Sequence, residues 1–275
     1  MIEVIFLGVL AVIWLAFASI QDLREHEVAN WIGFSLIVFA LGVRFFYSLF
    51  LGGGFGFFYQ GLIGLAIFWG IGNLFYYSRM FAGGDAKLMY AMGPILPFSL
   101  SFITNLKSFG MFLAIFLIVG GVYGMVWSLV LTFMNLKSFG KEFVKQFKLN
   151  KRYVWLGLVF GIVFVALGFI ESLFVLLGGL IFVIPYFYLY AKAVDEVCMV
   201  RRIPVGELTE GDWLYEDVLL GKKKLKADWE GLEMKDIEEI RRKKKFVTIR
   251  YGIPFVPVFL IAFLIWFYFL GNPLW

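Results

Sequence analysis

The chain has 275 residues, of which 61% are hydrophobic and only 16% charged, with a mean hydropathy of +0.86 and a net charge of +5. Soluble domains run at roughly 45–50% apolar residues and have too little interior to hide more, so lipid must be the solvent for most of this chain. A soluble enzyme, a disordered protein and a fibrous repeat are excluded, which leaves a polytopic membrane protein. The single cysteine, Cys198, and the single histidine, His26, narrow the chemistry further. No internal disulfide can form, a thiolate zinc site lacks ligands, and a Ser–His or Cys–His nucleophile would depend on His26, which lies in an acidic run beside the membrane. The chemistry falls to carboxylates, with no metal and no organic cofactor required.

Taken in chain order, apolar stretches long enough for a membrane cover residues 4–20, 31–51 (interrupted by Arg44), 60–77, 88–106, 109–136, 153–170, 172–191 and 251–270. The fourth carries Pro94 and Pro97 and is expected to be short or kinked. The sixth and seventh meet at Glu171 and read as a tight helical hairpin. The fold expected is an all-α polytopic membrane bundle of about six to eight transmembrane helices with a small cytosolic α+β insert before the last helix. Its parts are a transmembrane core at 1–191, the insert at 192–250 and a final helix at 251–275.

The first span is not expected to be a cleaved signal peptide. Glu3 stands where a basic region belongs, and the first basic residue, Arg24, follows the apolar run. A basic residue beyond a span's C-terminal end places that end in the cytoplasm. Threading the spans from there puts 23 of the 25 Lys and Arg residues on the inner side, leaving Arg44, which can snorkel, and Lys107 near the outer side. The positive charge therefore reads as membrane orientation, and nucleic acid is not an expected partner. Lys137, Lys141, Lys145, Lys148, Lys151 and Arg152 suit a helix lying on anionic membrane lipid. In the insert, residues 212–220 alternate weakly and residues 232–245 read as an amphipathic helix.

A carboxylate in or at the lip of a span costs roughly 2.5–3.5 kcal/mol on insertion scales and is a functional candidate by default. Asp22 ends the first span and Asp85 opens the fourth, 63 positions later, and the topology puts both at the cytoplasmic face. Gly83 and Gly84 precede Asp85, a pairing that allows close backbone approach and positive φ. Lys87 stands about 200° around a helix from Asp85 and is expected to reach headgroups or substrate. Pro254 and Pro257 open the last span, where they would free carbonyls for an extended peptide entering the bilayer.

These residues resemble a family. Gly83-Gly84-Asp85-Ala86-Lys87 is similar to the Gly-x-Gly-Asp-x-Lys element of the membrane aspartyl peptidases of the type IV prepilin and archaeal preflagellin (pre-archaellin) peptidase group, with Ala82 in place of the first glycine. Asp22-Leu23-Arg24 followed by Val28-Ala29-Asn30 resembles that group's Asp-x-Arg and Ile-Pro-Asn, with Ala29 replacing proline. Ile253-Pro254-Phe255-Val256-Pro257 is similar to its Ile-Pro-Phe-Gly-Pro. The resemblance implies a leader peptidase of the cytoplasmic membrane, its active site on the cytoplasmic side, with Asp22 and Asp85 catalytic and Arg24, Asn30, Gly83, Gly84, Lys87, Pro254 and Pro257 in the surrounding substrate-binding loops. The substrates implied are prepilin-like or preflagellin precursors, cut just before their apolar segment. No cysteine tetrad is present, so no methyltransferase activity is implied. The rival readings are a presenilin-like or signal-peptide-peptidase-like intramembrane protease, whose first acid usually follows a Tyr where Gln21 stands here, and a proton-coupled transporter, for which no inverted repeat is visible.

Overall fold

The computed structural model describes residues 2–51, 54–220, 223–228 and 231–271. The helices run α1 (Ile2–Glu25), α2 (Asn30–Phe50), α3 (Gly56–Tyr77), α4 (Gly83–Met92), α5 (Phe102–Met134), α6 (Leu136–Leu149), α7 (Lys151–Leu167), α8 (Leu173–Cys198), α9 (Met234–Lys243) and α10 (Pro257–Leu270). The strands are β1 (Val200–Pro204), β2 (Trp213–Leu214), β3 (Val218–Leu220), β4 (Lys223–Leu225) and β5 (Phe246–Arg250). Among the described residues five helices, α1, α2, α3, α5 and α8, are long and apolar enough to cross a membrane, and α6 with α7 passes as a pair bent by 73°. The protein is a multi-pass helical membrane protein with a small strand-containing region before its last helix, as composition and patterning predicted. The expected last span opens at residue 251, but α10 begins only at Pro257, and the segment expected at 251–275 is described as far as Gly271.

Two compact units make up the chain: Met1–Met125 together with Ile253–Trp275, and Val126–Gly252. The first holds a core of buried apolar side chains from α1 to α5 and α10, among them Leu15, Phe68, Leu88, Phe112, Phe116, Phe259 and Trp266. Small residues let its helices approach: the backbones of Gly64 on α3 and Gly93 just past α4 touch so closely that a Cβ on either would overlap the other.

The fourth expected span, 88–106, is not one helix. The helix stops at Met92, Pro94 and Pro97 follow, and regular structure resumes only at Phe102. The segment nevertheless runs antiparallel to α3 along most of its length. Gly72 faces Ala86 and Tyr90, Gly64 faces Gly93, and Gln60 Nε2 donates to the Leu100 carbonyl at 3.1 Å. Residues 91–97 are buried, so the helix breakers among them leave backbone groups away from water that the protein must satisfy itself. Asn105, fully buried at the start of α5, accepts from the amides of Phe98 and Ser99 at 3.1 Å each and donates to the Ser99 carbonyl at 2.7 Å. Arg44 serves the carbonyls. Its side chain is fully buried rather than snorkelling outward, and it donates to the carbonyls of Pro94 (2.6 Å), Phe57 (2.9 Å), Ile95 (3.5 Å) and Pro97.

In the second unit α7 and α8 form the hairpin expected around Glu171, closed by small residues: Gly157 lies against Pro185, and Gly161 against Gly178. Tyr190 on α8 shares hydroxyl hydrogen bonds with Ser128 (3.1 Å) and Thr132 (3.2 Å) of α5. The insert is α+β. Strand β5 pairs antiparallel with β1 and β2, β3 and β4 form a separate hairpin, and α9 turns Ile237 and Ile240 into a core with Ile203, Leu214 and Ile249. At the end of β5, Arg250 pairs with Asp195 of α8 at 3.3 Å, while the Tyr215 hydroxyl donates to Glu196 at 2.5 Å, a bond that raises the Tyr215 phenol above its ordinary pKa.

The glycine contacts on α3 separate packing from propensity. Gly64→Ala should destabilise the protein by about 1–3 kcal/mol through overlap with the Gly93 carbonyl. Gly70→Ala, which meets nothing within 4 Å, should be neutral or slightly stabilising. Thermal unfolding of the two variants in detergent checks this, and equal Tm values would contradict the packing.

Candidate active site

The carboxylate of Asp22 is buried because it continues a stripe. Leu7, Ala11, Leu15, Ala18 and Asp22 recur on one face of α1, and each is buried. A carboxylate carried inward on an apolar face needs a donor. Asp22 Oδ2 accepts the backbone N–H of Val256 at 2.9 Å. Val256 is the N-cap of α10 and Pro257 its first helical residue, so the mouth of α10 offers an amide that the helix itself does not use. The two residues are 234 positions apart in sequence.

The chain leaves α1 through a turn that the side chain of Gln21 holds. Gln21 Oε1 accepts from the Ala29 amide at 3.2 Å and its Nε2 donates to Glu25 at 2.9 Å. His26 takes the left-handed conformation (φ 55°), donating its amide to the Asp22 carbonyl at 2.9 Å. This turn delivers Val28 to Gly84, where an added Cβ would lie 3.3 Å from the Val28 Cβ.

The loop before α4 is built similarly. Arg79 (φ 62°) closes α3 in a Schellman motif, with Arg79 N–H on the Tyr76 carbonyl and Met80 N–H on the Phe75 carbonyl, both at 2.9 Å. Phe81 then anchors the chain among the rings of Phe75, Phe116, Phe255 and Phe259, with centroids 4.8–6.1 Å away. Ala82 is the N-cap of α4, with φ −72°, so alanine fits where the family motif has glycine. Asp85 occupies the third helical position and its Oδ2 accepts the Ala82 amide at 3.2 Å, the returning half of a capping box.

The sequence expectations meet this geometry unevenly. Neither Gly83 nor Gly84 has a positive φ: both belong to the first turn of α4, and only the close approach at Gly84 is realised, since an added Cβ on Gly83 meets nothing within 4 Å. Lys87 finds a partner in the protein. Its Nζ donates to Asn30 Oδ1 at the start of α2 and sits 5.9 Å from the Phe34 ring centroid, while Gly33 lets the backbones of α2 and α4 come together at Lys87. Arg24 is exposed on the last turn of α1. Pro254 and Pro257 are buried at the mouth of α10 rather than inside a helix, so they start the helix instead of freeing carbonyls along it.

The charge of Asp22 acts on Asp85 and also on Tyr123 of α5. Tyr123 and the Val256 amide were not foreseen. The one signal for Tyr123 is a hydroxyl inside the apolar run of residues 109–134, and nothing in the spacing marks Val256. Among the described residues no group of three or more His, Cys, Asp or Glu side chains forms a metal site.

The Lys87–Asn30 bond ties α4 to α2, which a double-mutant cycle can measure. Lys87→Ala and Asn30→Ala should each destabilise the protein, with a coupling of about 1 kcal/mol between them, so that the double variant loses little more than the worse single. Strictly additive losses in detergent unfolding would show that the bond contributes nothing.

A model of the type IV leader peptidase family matches residues 9–129. No curated protein and no solved structure matches the chain. The matched stretch runs from within α1 into α5 and contains Asp22, Asn30, Arg44, Gly83, Gly84, Asp85 and Lys87, while Pro254 and Pro257 lie beyond it. Over residues 9–129 this multi-pass membrane protein is therefore similar to the type IV leader peptidase family.

Proposed function

We propose that the protein is an aspartyl endopeptidase of the cytoplasmic membrane that removes the basic leader of prepilin-like or preflagellin precursors on the cytoplasmic side, using Asp22 and Asp85. The observation that supports this reading is a pair of carboxylates on α1 and α4, both inside the stretch that matches the family, with the charge of Asp22 acting on Asp85. Two carboxylates beside one water cannot both ionise easily and share a proton across a useful pH range. The ionised member takes a proton from water as the water oxygen attacks the scissile carbonyl. The protonated member hydrogen-bonds to that carbonyl and then protonates the leaving amine as the C–N bond breaks. The protons balance with one water consumed, one new carboxylic acid and one new amine, and the dyad again holds a single proton and titrates as a unit.

The remaining motif residues support the pair. Asn30 and Lys87 join the N-terminal ends of α2 and α4, Gly84 lets α4 approach Val28, and Pro257 sets the start of α10, whose capping amide holds Asp22. A site at the end of α1 and the start of α4 suits a substrate with a basic leader followed at once by an apolar helix. Arg24 stands exposed beside it. On α6, Lys137, Lys141 and Lys148 lie on one face at helical spacing and Phe139 packs on Tyr190 of α8, an arrangement suited to anionic membrane lipid.

Incubation of the purified enzyme with candidate precursors in vesicles, with the new N-terminus located by mass spectrometry, tests the proposal. Asp22→Asn and Asp85→Asn should each lower cleavage by about 10³-fold or more while the protein still folds. Appreciable turnover by either variant would end the dyad model, and a cut within the apolar segment would instead favour a presenilin-like intramembrane protease. Lys87→Ala should slow cleavage without moving the cut; a wild-type rate would remove Lys87 from the site.

A further inference from the structure

Arg44 is a fully buried cation that donates to four backbone carbonyls: Pro94 (from Nε, 2.6 Å), Phe57 (from Nη1, 2.9 Å), and Ile95 (3.5 Å) and Pro97 from Nη2. Its guanidinium carbon also stands 4.1 Å from the Phe57 ring centroid. Burying a guanidinium without a carboxylate beside it is unfavourable unless several dipoles converge on it. Here three of the four carbonyls belong to the stretch at which α4 gives out. Gly61 on α3 clears the way, since a Cβ there would overlap the Arg44 side chain.

We propose that Arg44 is a positioning residue for Asp85: by holding the carbonyls beyond the end of α4, it sets the depth and rotation at which that helix presents Asp85 to Asp22. The proposal rests on the dyad reading above. Helix α4 has only ten residues, too few to be stable alone, so its placement depends on its packing against α2 and α3 and on what holds its two ends. One end is fixed by Asn30 on Lys87 and by Val28 against Gly84. The other is fixed by the contact of Gly64 with Gly93 and by Arg44. Asp85 and Pro94 are nine residues apart, so a tilt or twist allowed at the Arg44 end moves the carboxylate directly. The planar five-donor fork of arginine reaches all four carbonyls together, whereas a lysine ammonium has three donors on one atom.

The test compares wild type with Arg44→Gln and Arg44→Lys, each purified as a monodisperse folded fraction, using the precursor cleavage assay. Arg44→Gln should lower kcat per folded molecule by about 10- to 100-fold, with KM within about twofold, because substrate still binds but the acids are misplaced. Arg44→Lys should fall between Arg44→Gln and wild type. The pH–rate profile of Arg44→Gln should also narrow, because two carboxylates hold a single proton over a wider pH range the closer they stand. A purely structural role would lower the yield of folded enzyme and leave kcat per folded molecule and the profile unchanged, and that result overturns the proposal. If Arg44→Gln does not fold, Arg44→Lys decides: reduced kcat with a narrower profile supports the assignment, and wild-type values overturn it. Asp85→Asn run in parallel keeps the two ideas apart, since turnover by that variant removes the dyad itself, whatever Arg44 does.

Discussion

At membrane depth a backbone amide or carbonyl without a partner has no water to turn to, and the first unit of this protein is organised by that constraint. Two irregular stretches, the one between α4 and α5 and the mouth of α10, leave such groups, and three polar side chains answer them. Asn105 takes the amides of Phe98 and Ser99, Arg44 takes the carbonyls from Pro94 to Pro97, and Asp22 takes the amide that opens α10. The polar residues that composition makes rare in the apolar spans are spent where the backbone is irregular. The irregular backbone, in turn, is what limits α4 to ten residues, with Asp85 in its first turn.

Both candidate acids have structural work beside the chemistry proposed for them. Asp22 caps α10 through one oxygen, and Asp85 returns to its own N-cap through one oxygen. Asparagine keeps an acceptor oxygen in each place and removes the ionisable group, which is why the amide replacements separate chemistry from folding better than alanine would. The coupling of roles also explains why the mouth of α10, outside the stretch matching the family, belongs to the same site: its first amide is the donor that holds Asp22 in place.

Much of this was legible in the sequence because it depends on local pattern. The long apolar runs around Leu15, Phe68 and Phe116 give helices where hydropathy puts them, the prolines at 94 and 97 announce a broken fourth segment, and the alternation near Trp213 and the 3.6-residue period through Ile237 and Ile240 give the α+β insert. The short motifs around Asp22 and Asp85 led to the family that matches residues 9–129. What spacing could not supply were pairings between distant segments. Arg44 reads as a residue that snorkels until the carbonyls of Pro94 and Pro97 are brought beside it, and Lys87 reads as reaching headgroups or substrate until Asn30 arrives from 57 positions away. The paired glycines suggested a left-handed turn, but the left-handed residues in the two loops proved to be His26 and Arg79, side chains that composition gives no reason to place there.

The account stands on two acidic side chains meeting across α1 and α4, and cysteine pairing measures that directly. In a Cys198→Ser background, Asp22→Cys with Asp85→Cys should be bridged by a short bifunctional thiol reagent in intact membranes, as should the reference pair Asn30→Cys with Lys87→Cys. Bridging at both pairs is the predicted result. Bridging of the reference pair alone would show that α4 is docked while positions 22 and 85 stand apart, and would contradict the account.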